Sequence, residues 1–293
     1  MQIVRMAESD TIKGRGRKGQ PKSDSCAAKM AGAACGLAVD IGTTTVVMGL
    51  YDLDSGERLA GLQEKNSQTL LGADVMMRLM HCQRGSQHTL EQRIREQIQN
   101  MAEQLCDGFC ALEQIKTIAV VGNTTMCHIF LGQDTSGLAG SPFRPAYRGI
   151  YRCKGSDIAL QEMKDTDVIV PAGIDAHVGA DAVSMICALQ LPETKETILA
   201  VDIGTNAEIA LSCKGEISVC SAPAGPAFEG AQISQGMRGE PGAIAGMHIA
   251  RQSGNILLEV IPDDRRNVYP VRGICGSGLI DSIASLRQSG ILQ

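Results

Sequence analysis

An α/β fold built from two related halves is what this sequence predicts, and three observations carry the prediction. Val39-Asp40-Ile41-Gly42-Thr43 recurs as Val201-Asp202-Ile203-Gly204-Thr205. Each copy closes an apolar run and leads into a second extended run, which is the pattern of a β-hairpin whose tight turn follows a carboxylate. Beyond the first copy the apolar residues switch to helical spacing. Duplicated starts of this kind imply duplicated halves closing on one ligand.

A turn of Gly and Thr points backbone N–H groups and hydroxyls into one concavity, which suits a phosphate. Candidate phosphate ligands are therefore Gly42, Thr43, Thr44 and Thr45 from one copy and Gly204, Thr205 and Asn206 from the other. Asp40 and Asp202, at the strand ends, can hold Mg²⁺ through water, because that ion gives up its hydration shell reluctantly. Asp-x-Gly-Thr also makes ordinary hairpins, so the weight lies on its repetition.

With 293 residues the chain can bury sizeable cores in two domains. Trp is absent while Gly (33) and Met (13) are plentiful, so the cores must be aliphatic and closely packed. A net charge of −5 argues against nucleic acid as a partner. Eleven scattered cysteines, with no signal peptide ahead of them, read as reduced thiols in the cytoplasm. Cys106 and Cys110, four apart on an expected helix, are either a metal or redox pair or small buried residues. No apolar run approaches the ~18 residues a membrane-spanning helix needs.

Residues 1–35 carry seven Lys/Arg against three Asp/Glu and little apolar surface, so they read as a disordered basic tail or linker. The first half is expected over 36–196, with strands at about 36–41, 46–53 and 58–64. Helices follow at Ala73–Gln83, burying Val75, Met76, Leu79 and Met80, and at Thr89–Leu112, burying Ile94, Ile98, Met101, Leu105 and Phe109. Ile115–Val121 is a buried strand running into Gly122-Asn123-Thr124-Thr125-Met126. That turn either caps the helix to Leu131 or offers N–H groups to an anion. Residues 132–165 read as a loop insertion. Asp167–Val170 is a short strand, and a helix of small residues is expected over Ala176–Leu189 with Asp175 as its N-cap or as a functional carboxylate.

The second half is expected over 197–293, with strands near 197–203, 206–213 and 216–222 and a turn at Lys214-Gly215. Gly225–Gly230 opens a short helix, and strands near 242–250 and 255–261 complete the sheet. Gly273–Gly278, with Gly276 and Ser277, opens a helix to about Arg287 and either approaches a nucleotide or lets that helix pack closely. A strand–strand–strand–helix start should continue with further strand and helix, so this half reads as partial.

Two Asp-x-Gly-Thr hairpins in such halves resemble the superfamily of actin, the 70-kDa heat-shock proteins and sugar kinases, with duplicated ribonuclease H-like halves forming an actin-like ATPase fold. Within it, Gly36–Thr45, Gly122–Met126, Val178-Gly-Ala-Asp181, Val201–Asn206, Ala224–Gly230 and Gly273–Asp281 resemble the reductive activators of corrinoid proteins. The resemblance implies ATP and Mg²⁺ as cofactors and a reaction that drives an electron onto cobalt, returning Co(II) to the Co(I) state that methyl transfer needs. It also implies a corrinoid protein of a methyltransferase system as partner and an electron-donor protein, and leaves a homodimer open. Members commonly carry a ferredoxin-like domain ahead of this region and a Gly-rich adenosine-binding turn after it. In this chain neither the iron–sulfur ligand spacing nor that turn is found.

For phosphoryl transfer to water, positioning and charge neutralisation suffice. Candidates to orient the water are Glu208, on the same strand face as Asn206, together with Asp181 and Asp175, while Asp202 organises the metal. The alternatives are a small-molecule kinase, since Pro171–Asp175 loosely resembles a kinase catalytic loop, and a non-catalytic nucleotide-binding fragment.

Overall fold

In chain order the computed structural model contains β1 (Gln2–Ile3), β2 (Cys35–Ile41), β3 (Thr45–Asp52), β4 (Arg58–Lys65), α1 (Val75–His81) and α2 (Gln87–Cys106). Then come β5 (Ile115–Gly122), α3 (Thr124–Leu131), β6 (Tyr151–Lys154), β7 (Asp167–Val170) and α4 (Ala180–Ala188). The remainder is β8 (Ile198–Ile203), β9 (Asn206–Cys213), β10 (Glu216–Pro223), β11 (Ala243–Ile249), β12 (Ile256–Val260), β13 (Gly273–Ile274) and α5 (Gly276–Gln288). The structure describes residues 2–3, 34–204, 206–223, 233–237, 239, 241–249, 255–262 and 270–292. Most of the expected basic tail, Thr205 and the Ala224–Gly230 block lie outside the described residues. The chain divides into two compact units, Met1–Asp202 with Glu208–Ser221, and Ile203–Ala207 with Ala222–Gln293.

In the first unit, β2 alternates as a half-buried strand must. Cys35, Leu37, Val39 and Ile41 are at most 2% exposed, while Ala38 and Asp40 face the other way. The sheet runs β4-β3-β2-β5-β7-β6. β2, β5 and β7 are mutually parallel neighbours, with β3, β4 and β6 antiparallel to theirs. Against it lies α2, whose Leu90, Ile94, Ile98 and Met101 are fully buried. Each contributes about 1.5–3 kcal/mol through lost apolar surface. Asn123 caps α3, its side chain accepting from the Met126 N–H at 3.0 Å, and Gly132 at φ 70° ends it.

Three expectations are corrected here. Within 132–165, β6 pairs with β7 from Tyr151↔Val170 to Lys154↔Asp167, so the stretch supplies the sheet's edge. On α1 the Met stripe is turned outward, with Met76 and Met80 53% and 43% exposed. Leu79 is buried, as the spacing predicts, and Arg78 is buried beside it, because the guanidinium finds carbonyl acceptors beneath the helix. The small-residue helix starts at Ala180, not Ala176, and Gly179 takes the N-cap position.

β8, β9 and β10 form a second sheet in the order β1-β8-β9-β10. Gln2 and Ile3 pair in parallel with Ile198 and Leu199. The β9–β10 turn is Lys214 (φ 53°) and Gly215 (φ 86°), both left-handed as a tight hairpin requires. Ile186 of α4 packs with Ala200 and Ala210 of this sheet. In the second unit β11 is flanked by β12 and β13, so both its edges are filled. Among the described residues it therefore builds a separate sheet, not the continuation of β8–β10 that the sequence suggested. α5 packs on β11 so closely that a Cβ on Gly278 would lie 2.0 Å from the Ile244 carbonyl oxygen. No helix of the described residues is long and apolar enough to cross a membrane.

Candidate functional site

Asp40 is the penultimate residue of β2, opposite Val47 of β3 and beside Val121 of β5, at the carboxyl end of parallel strands where α/β sheets hold ligands. The turn that follows is closed by Gly42, on which a Cβ would stand 2.6 Å from the Thr45 carbonyl oxygen. Only glycine allows that approach.

The turn is braced from one side. The Asn66 side chain donates to the Gly42 carbonyl at 2.8 Å, and the Asn66 N–H donates to the Thr44 carbonyl at 2.8 Å. The Arg78 guanidinium donates to the Thr43 carbonyl. In a trans peptide C=O and N–H point in opposite directions. Anchoring the carbonyls of Gly42 and Thr43 therefore aims the N–H groups of Thr43 and Thr44 the other way. Thr43 is 8% exposed and its hydroxyl accepts from Asn123 at 3.3 Å. The Thr44 hydroxyl is buried with no hydrogen-bond partner, an orphaned group at the point where a ligand oxygen is expected. Neither Asn66 nor Arg78 was legible in sequence. Asn66 follows a strand with no motif around it, and Arg78 sits inside a run that reads as an apolar stripe.

Four acids form one electrostatic group in the first unit. Asp40 is pushed up to about 7, first by lost hydration and then by the charges of Asp181 and Asp202. Its surface is exposed, so the carboxyl stands in an open recess whose walls strip part of its water, and residual solvent tempers the shift. Glu208, 8% exposed, is likewise pushed up to about 7 by burial, then by Asp181, with the charge of Asp202 adding less. The Ser221 hydroxyl donates to it at 3.1 Å and opposes the shift. Asp181, in the first turn of α4, is raised by burial and then by Asp202, although it accepts from the Ala182 N–H at 2.8 Å. Crowded carboxyls of this kind favour either a retained proton or a cation.

Asp175 is not among the charges that act on Asp40, Asp181 or Glu208. It is exposed, accepts from Arg148 at 3.1 Å and bridges to Val178, so it caps no helix. In the second unit the Gly204 N–H donates to the Asn206 carbonyl at 2.9 Å, closing that turn. Gly276 and Ser277 open α5, where the Cys275 thiol and the Ser277 hydroxyl are 3.1 Å apart. Cys110 lies past the end of α2 at Cys106, so the two share no helix face, although their sulfurs are 3.6 Å apart. Among the described residues no group of three or more His, Cys, Asp or Glu is arranged to hold a metal ion.

Known proteins give this geometry its context. A corrinoid activation enzyme from Eubacterium limosum is 35% identical over 261 residues, covering 88% of this chain and 42% of its own length. A [Co(II) methylated amine-specific corrinoid protein] reductase from Methanosarcina barkeri is 29% identical over 282 residues, covering 88% and 52%. A solved reductive activator for a corrinoid, iron–sulfur protein superposes with a TM-score of 0.76 at 34% identity, covering 90% of this chain and 42% of that one. The chain thus spans about half, or less, of the length of these relatives. The family described as "RACo middle region" matches residues 35–194, and "C-terminal domain of RACo the ASKHA domain" matches residues 196–293. On those two matches together the chain belongs to the RACo family, with an actin-like ATPase fold.

Proposed function

We propose that this chain is the nucleotide-using part of a reductive activator, coupling ATP turnover to the return of a protein-bound corrinoid from Co(II) to Co(I). The observation that carries the reading is the group Asp40, Asp181, Asp202 and Glu208 in the same unit as a glycine–threonine turn braced from behind. The names of the relatives, each a corrinoid activator or reductase, support the partner. No comparable observation favours a sugar-type kinase.

In this reading Thr43 and Thr44 receive phosphate oxygens through their N–H groups, with the unpartnered Thr44 hydroxyl as a further donor. Gly204, Thr205 and Asn206 are the sequence counterpart of this turn in the repeated phrase. Asp40 and Asp202 would hold Mg²⁺ through water, which needs few direct protein ligands and so fits a site without a closed cage. When bound, Mg²⁺ would supply neutralisation of the charge on the phosphate tail. Glu208, with a carboxyl that titrates near neutrality, is suited to accept a proton from the attacking water. Asp181 adds negative charge beside Glu208 and so keeps it basic.

The test is ADP release with and without a Co(II) corrinoid protein, with cobalt reduction followed by absorbance. Asp202→Asn should lose Mg²⁺-dependent nucleotide binding. Glu208→Gln should keep binding and lose turnover by about 10²-fold or more. Unaltered ATPase in Asp202→Asn removes the metal assignment, and ADP release indifferent to the corrinoid protein removes the partner.

A further inference from the structure

Arg78 is a guanidinium with no exposed surface, and its hydrogen bonds go to neutral groups. It donates to the Gly72 carbonyl at 3.1 Å, to Gln68 Oε1 at 3.2 Å, to Met126 Sδ at 2.8 Å and to the Thr43 carbonyl. Among the described residues no carboxylate bonds it. Asp74 acts on it only through space, its own carboxyl being engaged by the Met77 N–H at 2.8 Å as the N-cap of α1. Burying a charge with no ionic partner is among the costlier things a fold can do. The cost is retained here directly beneath a turn whose outward groups are suited to anions.

The surrounding field makes the position matter. Asp40, Asp181, Asp202 and Glu208 bring negative charge to this unit, which on its own would repel a polyphosphate. We infer that Arg78 is a positioning residue whose buried charge has its counter-ion in the ligand: it makes the Gly42–Thr45 turn selective for a polyphosphate. The coupling runs through one peptide. A cation on the Thr43 carbonyl polarises that amide, and the Thr44 N–H at its other end becomes the stronger donor. This rests on the nucleotide reading above and adds to it the source of positive charge, which neither Thr-rich turn carries in its own side chains.

Gln68→Glu isolates the charge from the scaffold. It sets a carboxylate on the guanidinium, leaves the bond to Thr43 in place and gives up the Gln68 bond to the Leu90 carbonyl. Calorimetric titration with a non-hydrolysable ATP analogue plus Mg²⁺, and separately with AMP, compares it with wild type, Arg78→Met and Arg78→Lys, each checked by thermal melt. Gln68→Glu and Arg78→Met should lower triphosphate affinity tenfold or more while AMP affinity stays within twofold, and Arg78→Lys should recover part of the loss. A purely structural role would lower both affinities together and follow the melting temperature. Folded Gln68→Glu or Arg78→Met protein with wild-type preference for triphosphate over AMP overturns the inference and leaves the nucleotide reading standing. Wild type that binds neither nucleotide overturns both. Should one neutralising variant fail to fold, the other decides.

Discussion

Glu208 keeps 8% of its surface, and its carboxyl holds a proton up to about 7 when folded, against about 4.3 in an unfolded chain. Between those values the native state binds more protons than the unfolded one, so stability falls as pH rises through the window. Glu208→Gln removes that dependence. Its ligand-free melting temperature should exceed wild type at pH 8, and the difference should shrink toward pH 5. A variant less stable than wild type at pH 8 would show that the Ser221 bond outweighs the burial cost. The same carboxyl is the proposed base, so the variant should gain stability while losing turnover.

At the scale of elements, the approach of α4 to the β5–α3 junction sets where Asp181 lies. A Cβ on Gly179 would stand 2.6 Å from the Gly122 carbonyl oxygen and the Thr124 nitrogen, and 2.7 Å from the Asn123 Cα. All three are backbone or backbone-bound atoms that cannot swing aside. Gly179→Ala should therefore cost about 3 kcal/mol and push the start of α4 outward. Because Asp181 is the largest charge acting on Glu208, the variant's ligand-free melting temperature should also vary less with pH between 5 and 8. Urea melts across that range check both effects, and wild-type stability with an unchanged pH dependence counts against the contact. α1 makes the same point about elements from the opposite side. It is held by what lies beneath it, and its exposed methionines contribute little to the core.

At the scale of the molecule, the chain divides into two compact units. The clusters around Phe130 and around Ile186 lie within the first unit, while α5 on β11 belongs to the second. Gly278→Ala, which would place a Cβ 2.0 Å from the Ile244 carbonyl oxygen, should raise hydrogen exchange in β11 to β13 and α5. Protection in β2, β5 and α2 should stay at its wild-type level. Exchange that rises equally in both units would mean that they unfold as one.

Alternation placed β2, β3, β7 and β9 to within about two residues at each end, because that signal is local and burial on one face reinforces it, whereas the helix expected to Leu112 already ends at Cys106. The repeated Val-Asp-Ile-Gly-Thr phrase also determined two of the four grouped acids, Asp40 and Asp202, since a carboxylate ahead of a tight turn is a local feature. Tertiary structure alone decided that α1 faces inward with Arg78, 35 residues from the carbonyl it binds. It likewise decided that Asp175 stays at the surface with Arg148 while Asp181 joins the acids. Which polar group is buried depends on the acceptors and charges that distant segments bring to it, and no periodicity within a segment records those.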